Sequence, residues 1–223
     1  LHAFHDRLAR LRVLDPACGT GNFLYVAMEA LLGLEAKVLQ AIEDNGGTAS
    51  SRIGPGQFHG LEVNTSAAKV AELVLWIGWL RRGLADHPDD IPEPILGQRA
   101  NINFGRPGRY DAVLAQDATG APDLADPRRP EWPEADFIVG NPPFIGGKDI
   151  RRELGGDYAE ALWKANPRVA PSADFVMQWW DRAADLLTRD ATALRRFGFV
   201  TTNSITQEFS RRVIQACLGP KAC

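Results

Sequence analysis

The sequence predicts an α/β fold with a mostly parallel, doubly wound sheet, and three features predict it. Short apolar runs ending at Asp15-Pro16, Glu62 and Asn141-Pro142 alternate with longer segments of helical periodicity. The first run passes through a glycine turn directly into a helix, the unit from which such sheets are wound. The residues that a plain scaffold would not need all fall at strand ends, where open α/β sheets bind their ligands.

Arg12-Val13-Leu14 is the first strand, and Ala17-Cys18-Gly19-Thr20-Gly21-Asn22 is a tight turn marked by its two glycines. From there Phe23, Ala27, Ala30, Leu31, Leu34, Val38 and Ile42 trace one face of a helix. Asn45 to Gln57 is a Gly/Ser/Pro loop, and Phe58-His59-Gly60-Leu61 is a second strand running into Glu62. Asn64 or Thr65 caps a second helix, for which Val70, Leu73, Val74, Ile77 and Leu80 form the expected buried face. From Pro88 to Ala135 the chain is rich in Pro, Gly, Asp and Arg, and only Asn101–Phe104 and Tyr110–Leu114 look strand-like. Asp136–Gly140 is a buried strand that Pro142 and Pro143 forbid from continuing. Beyond a Gly/Lys/Arg-containing loop, Pro171-Ser172 introduces a helix with Val176, Trp179, Ala183, Leu186 and Leu187 on its apolar face. Trp179-Trp180 reads as core, and Phe197–Thr201 is the last strand.

The 223 residues are 45% hydrophobic and 24% charged, the composition of one soluble globular domain spanning 1–223, which excludes disorder and fibre. A domain of this size buries roughly 70% of its unfolded surface and needs neither disulfides nor a structural metal. Cys18 lies in the glycine turn while Cys217 and Cys223 sit at the tail, an odd set that reads as a reducing, cytoplasmic compartment. His2, His5, His59 and His87 form no cluster with them, so no metal site is expected. The longest apolar stretch, Leu73–Leu80, is far shorter than the roughly 20 residues of a membrane span and reads as a core helix. The chain opens without Met and stops at Gly219-Pro220-Lys221-Ala222-Cys223 without a finishing element, so it reads as a fragment truncated at both ends.

Asp15-Pro16-Ala17-Cys18-Gly19-Thr20-Gly21-Asn22-Phe23 sets an acid at a strand end, then glycines that let a ligand approach the backbone, then the amides of a helix N-terminus. A plain turn explains the glycines but not the acid or the aromatic. A dinucleotide fold wants a third glycine where Leu24 stands and an acid about 20 positions on. Glu62, the next acid at a strand end, comes much later. S-adenosylmethionine fits better: Asp15 for its ammonium, the amides near Gly19 and Gly21 for its carboxylate, Glu62 for its ribose hydroxyls and Phe23 beside its adenine. Glu62 reads equally as a solvated acid. Asp111, in Tyr110-Asp111-Ala112-Val113-Leu114, is either an acceptor for the adenine amino group or a turn residue.

Asn141-Pro142-Pro143-Phe144 combines an amide acceptor, a carbonyl fixed between prolines and an aromatic face. An exocyclic amino group is a poor nucleophile because its lone pair is delocalised into the ring. Two acceptors on its two hydrogens, the Asn141 side-chain oxygen and the Pro142 carbonyl, favour the pyramidal form that can attack. A base inside a duplex must first be flipped out, at a few kcal/mol, and stacking on Phe144 returns about 1–3 kcal/mol. With 25 basic against 28 acidic side chains, a net charge of −3, bulk electrostatics do not hold nucleic acid here. Lys148, Arg151 and Arg152, just past the tetrapeptide, are the candidates for flanking phosphates. Arg81-Arg82, Arg128-Arg129, Arg195-Arg196 and Arg211-Arg212 read as solvated pairs.

The stretch Asp15 to Phe23 resembles the cofactor motif of the γ-class adenine-N6 DNA methyltransferases, and Asn141-Pro142-Pro143-Phe144 resembles their catalytic tetrapeptide. The chain is similar, over essentially its whole length, to the methyltransferase domain of large fused type II restriction-modification polypeptides of the IIG and IIL kind. Phe4 to Leu8, Phe23-Leu24-Tyr25-Val26-Ala27, Ile145-Gly146-Gly147 and Thr201-Thr202-Asn203-Ser204-Ile205 carry that closer likeness. The resemblance implies the class I S-adenosylmethionine-dependent fold, that cofactor, and double-stranded DNA as partner, with target-recognition and, where fused, nuclease domains on the same polypeptide. It implies catalysis by Asn141, Pro142, Pro143 and Phe144. Cofactor binding is implied for Asp15, Pro16, Ala17, Cys18, Gly19, Gly21 and Phe23, with Glu62 on the ribose and Asp111 on the adenine. A further cofactor element of the family falls before residue 1, and its last strands and target-recognition domain fall after residue 223. Gly105–Glu134 is longer and more irregular than in the family. RNA guanine-N2 and release-factor glutamine methyltransferases carry similar Asn-Pro-Pro-aromatic loops but lack the Asp-Pro start and the Asn-Phe finish. A non-catalytic DNA-holding module is the remaining alternative, and the intact motifs argue against it.

Overall fold

The structure, a computed structural model, describes residues 1–86, 101–105 and 108–218. His87, residues 88–100 of the irregular stretch and the tail with Cys223 lie outside the described residues. In chain order the elements are α1 (His2–Leu8), β1 (Val13–Asp15), α2 (Asn22–Asp44), β2 (Phe58–Gly60), α3 (Thr65–Asp86), β3 (Phe137–Gly140), α4 (Ile150–Leu154), α5 (Gly156–Ala165), α6 (Met177–Leu187), β4 (Arg196–Phe199) and α7 (Glu208–Leu218). The strands form one all-parallel sheet in the order β2-β1-β3-β4. Side-chain alternation along the strands feeds two cores: Val13 and Phe58 join the cluster under α2 and α3, while Leu14 and Ile138 join the one under α5 and α6. That is the expected doubly wound arrangement. The chain leaves β1 toward β2 on one side and returns to β3 on the other, so the crevice beyond β1 and β3 is the topological switch point.

Several expected elements differ from those observed. Asn101–Phe104 and Tyr110–Leu114 are not strands; only Ile102 makes a parallel bridge, to Gly60. Asn103 and Asp111 there hydrogen-bond nearby backbone with their side chains, which competes with a ladder. Helices α4 and α5 occupy what reads as loop, although Asp157 in the first turn of α5 and Pro167 after its end are start and stop signals. The α6 helix begins at Met177, later than Pro171-Ser172 suggests, with Met177 N–H bonded to the Asp174 carbonyl.

The inward faces of α2 and α3 are also rotated from expectation. On α3, Val70, Leu73 and Ile77 are 42, 57 and 54% exposed, while Ala68, Ala71, Leu75 and Gly78 face inward. Small residues win because the helices approach closely: a Cβ at Gly78 would overlap Tyr25, and one at Gly21 would sit 3.1 Å from Ala71. On α2 the buried residues are Leu24, Met28, Leu32, Glu35, Val38 and Ile42, leaving Phe23 and Leu34 exposed. Glu35 can sit at 1% exposure because its carboxylate accepts from His5 Nε2, Ser51 Oγ and the Arg52 and Ile53 amides. It fastens α1 and the loop before β2 to α2. Of the two caps foreseen for α3, Asn64 is the one used: its Oδ1 accepts from the Ser66 and Ala67 amides.

Candidate active site

Asp15 closes β1 with its side chain 1% exposed, and its Oδ1 accepts from the Ala17 amide at 3.0 Å. Burial pushes the carboxyl up to about 7, and the Glu62 carboxylate pushes the same way against the Ala17 bond. The acid lies against the end of β3. A Cβ built on Gly140 would stand 2.5 Å from Asp15 Oδ1, so only a glycine before Asn141 lets the carboxylate occupy this place. Gly140 is a site residue that the sequence reading passes over as the end of a strand. Trp179, expected in the core and 5% exposed, also donates from Nε1 to the Pro16 carbonyl at 3.0 Å, so α6 fastens the turn.

The turn itself has Gly19 and Gly21 at φ of 54° and 86°, conformations that suit glycine. Cys18 is not open to a ligand through its thiol: the side chain is 6% exposed in the core, burial raises its pKa, and its amide donates to the Leu61 carbonyl. Phe23 is 38% exposed on the first turn of α2. Glu62, just past the end of β2, faces the same turn. Its Oε2 accepts from the Gly19 amide at 2.9 Å and its Oε1 from Asn64 at 2.7 Å, each oxygen keeping acceptor capacity. Asp15, the glycine turn and Glu62 are thus brought together, and Glu62 is not a merely solvated acid.

Asp111 comes to the same edge, since the Tyr110 amide donates to the Glu62 carbonyl. Its carboxylate has work inside the protein. Oδ1 accepts from the Val113 and Leu114 amides, and Oδ2 accepts from the Tyr158 hydroxyl of α5 at 2.7 Å. Burial and the nearby Asp111 charge raise the Tyr158 phenol far above its usual pKa, so it stays a donor.

Pro142 is buried while Asn141, Pro143 and Phe144 are exposed, and the Asn141 side chain has no partner among the described residues. Phe144, 47% exposed, opens onto a cleft of about 650 Å³ whose other lining includes Lys148, Asp174, Thr202, Gln207 and Phe209. Phe209, 42% exposed at the start of α7, gives the cleft a second aromatic from a helix that the sequence reading does not assign. The loop is held from behind: the Phe175 amide donates to the Ile145 carbonyl, and any Cβ on Gly147 would strike Ser172.

The basic candidates separate. Lys148 lines the cleft. Arg151 pairs with Glu160 and lies over the Trp163 ring, and Arg152 pairs with Asp149 and Glu153, so both charges are already matched. Arg129, expected to be solvated, is instead partly buried against Asp181 and Asn166.

The chain is 27% identical over 211 residues to DNA methyltransferase A of Bacillus subtilis (strain 168), covering 90% of the chain and 22% of the relative. Over 79 residues, 34% of the chain and 7% of the relative, it is 30% identical to a putative type II restriction enzyme and methyltransferase of Methanocaldococcus jannaschii. Among solved structures, the type IIL restriction-modification enzyme MmeI in complex with DNA matches with a TM-score of 0.71 and 26% identity. That match covers 97% of this chain and 28% of the enzyme's, so the chain spans about a quarter of its longer relatives. The family described as MmeI, DNA-methyltransferase domain, matches residues 1–214, and the chain belongs to it.

Proposed function

We infer that the chain is a DNA adenine-N6 methyltransferase domain, working on a flipped-out adenine within a restriction-modification polypeptide. One observation carries the reading: Asp15, the buried acid of the cofactor turn, touches the end of β3 where Asn141-Pro142-Pro143-Phe144 begins. A donor held at the first would present its reactive group to a base held at the second.

The residues fit S-adenosylmethionine. A carboxyl whose pKa burial raises to about 7 awaits a cation, and the ammonium is that cation. Glu62 accepts from the ribose hydroxyls with the lone pairs that Gly19 and Asn64 leave free. Asp111 takes the adenine amino group on Oδ2, shared with Tyr158. When bound, the cofactor supplies an electrophilic methyl group on a sulfonium. Asn141 and the Pro142 carbonyl accept from the target amino group, and Phe144 stacks on the base in a cleft that Phe209 also lines. Lys148, which lines the cleft, contacts a flanking phosphate in this reading.

The test is calorimetry with S-adenosylmethionine, then a labelled-methyl assay on duplex DNA in the polypeptide that carries the chain, followed by digestion to nucleosides. Label recovered as N6-methyladenine is the expected result; label in RNA or protein, or none despite cofactor binding, overturns it. Glu62→Ala is expected to weaken cofactor binding about tenfold or more; an unchanged dissociation constant removes it from the site. Gly140→Ala is expected to displace the Asp15 carboxylate and weaken binding by about as much. Calorimetry on the folded variant checks this, and near-native affinity would show that Asp15 can move without consequence.

A further inference from the structure

We propose that Asn103 is a positioning residue for the cofactor ribose, acting through the Glu62 peptide without touching the ligand. The proposal rests on reading Glu62 as the ribose acceptor. The β2 ladder ends at Gly60, and the Leu61 amide makes the last bond back to Asp15. At Glu62 no strand pairs with the backbone; the Tyr110 amide donates to the Glu62 carbonyl at 2.9 Å, while the Glu62 N–H is left to a side chain. Asn103 substitutes for a strand: its Oδ1 accepts from Glu62 N–H at 2.8 Å and its Nδ2 donates to the Glu62 carbonyl at 2.9 Å. These are the two bonds a neighbouring strand would make.

The side chain is 2% exposed and Nδ2 also donates to the Gly108 carbonyl at 2.9 Å. The amide can point only one way, since the reverse would set a donor against an amide and an acceptor against two carbonyls. The backbone is shaped for this contact. Asn103, Phe104 and Gly105 have φ of 52°, 59° and 67°, three successive left-handed residues of which two carry a Cβ. Such a turn is disfavoured for L residues and persists where its surroundings over-determine it. Asparagine is the side chain that fits. Aspartate would face an oxygen toward the Glu62 and Gly108 carbonyls, and alanine would make neither bond. With the peptide fixed, the Glu62 carboxylate bridges Gly19 and Asn64 in one orientation, ready for two hydroxyls.

The chain, Asn103→Ala, Asn103→Gly and Glu62→Gln are titrated with S-adenosylhomocysteine and with its 2′,3′-dideoxyribose analogue, which lacks the hydroxyls in question; thermal unfolding checks each variant. Both Asn103 variants are expected to lose about tenfold in affinity for the first ligand and less than about twofold for the second. Glycine relieves the left-handed backbone but restores neither bond, so near-native binding by Asn103→Gly overturns the proposal. Equal losses for both ligands in the Asn103 variants, with Glu62→Gln losing affinity for S-adenosylhomocysteine only, overturn it while leaving Glu62 in its role. If Glu62→Gln loses equally for both ligands or for neither, the reading of Glu62 falls and the proposal falls with it.

Discussion

Asn141→Ala is expected to lower methyl transfer roughly 10²–10³-fold, the usual cost of removing one preorganised polar group from a reacting centre, while cofactor affinity stays within about threefold. The reason is the direction of the hydrogen bonds. The target nitrogen gains nucleophilicity only while both its hydrogens are accepted in a geometry that draws its lone pair out of the ring. The Pro142 carbonyl alone can accept one. Asn141 is exposed and unpaired among the described residues, so its loss should leave stability within about 0.5 kcal/mol. The two effects can therefore be read apart, by single-turnover transfer of labelled methyl to duplex DNA and by calorimetry. Turnover near that of the unmodified enzyme would remove Asn141 from the chemistry.

Legibility in the sequence followed how local each signal was. The Asp15 turn and the Asn141 loop announce themselves because an acid, glycines and prolines at fixed offsets dictate backbone conformation without reference to the rest of the chain. The parallel, doubly wound sheet followed from the alternation of strands and helices. What stayed hidden was decided by partners distant in sequence. Ala71 and Gly78 look like filler beside Leu73 and Ile77, yet close packing of Ala71 on Gly21 and of Gly78 on Tyr25 and Met28 turns them inward. Gly140 is an ordinary strand end until Asp15 is placed against it. Asn103 and Phe104 resemble a strand until the Glu62 peptide is seen to occupy the Asn103 side chain. Phe209 becomes part of the cleft only when α7 folds back toward Phe144.

Asp15→Asn is expected to weaken cofactor binding by about tenfold or more and, in the same molecule, to stabilise the ligand-free chain. Its folded pKa, about 7, lies above the ordinary aspartate value of 3.8. The carboxyl's favourable contribution is therefore complete below about pH 4 and is lost as pH rises through about 7. At pH 8 holding the charge costs on the order of 4 kcal/mol, at about 1.4 kcal/mol per pKa unit. Asparagine keeps an oxygen for the Ala17 amide and sheds that cost. Unfolding at pH 8 should show the variant more stable by a few kcal/mol, with the gap closing toward pH 4. Cofactor binding runs the other way. An ammonium beside the carboxylate favours its ionised form, so affinity should rise by up to about tenfold per pH unit below 7 and level off above it. The asparagine variant should lose that slope. Were the slope to survive in Asp15→Asn, or the variant to bind as tightly as the unmodified chain, the ammonium would have to be held elsewhere. The burial of Asp15 beside Gly140 would then be a cost to stability without a purpose in binding.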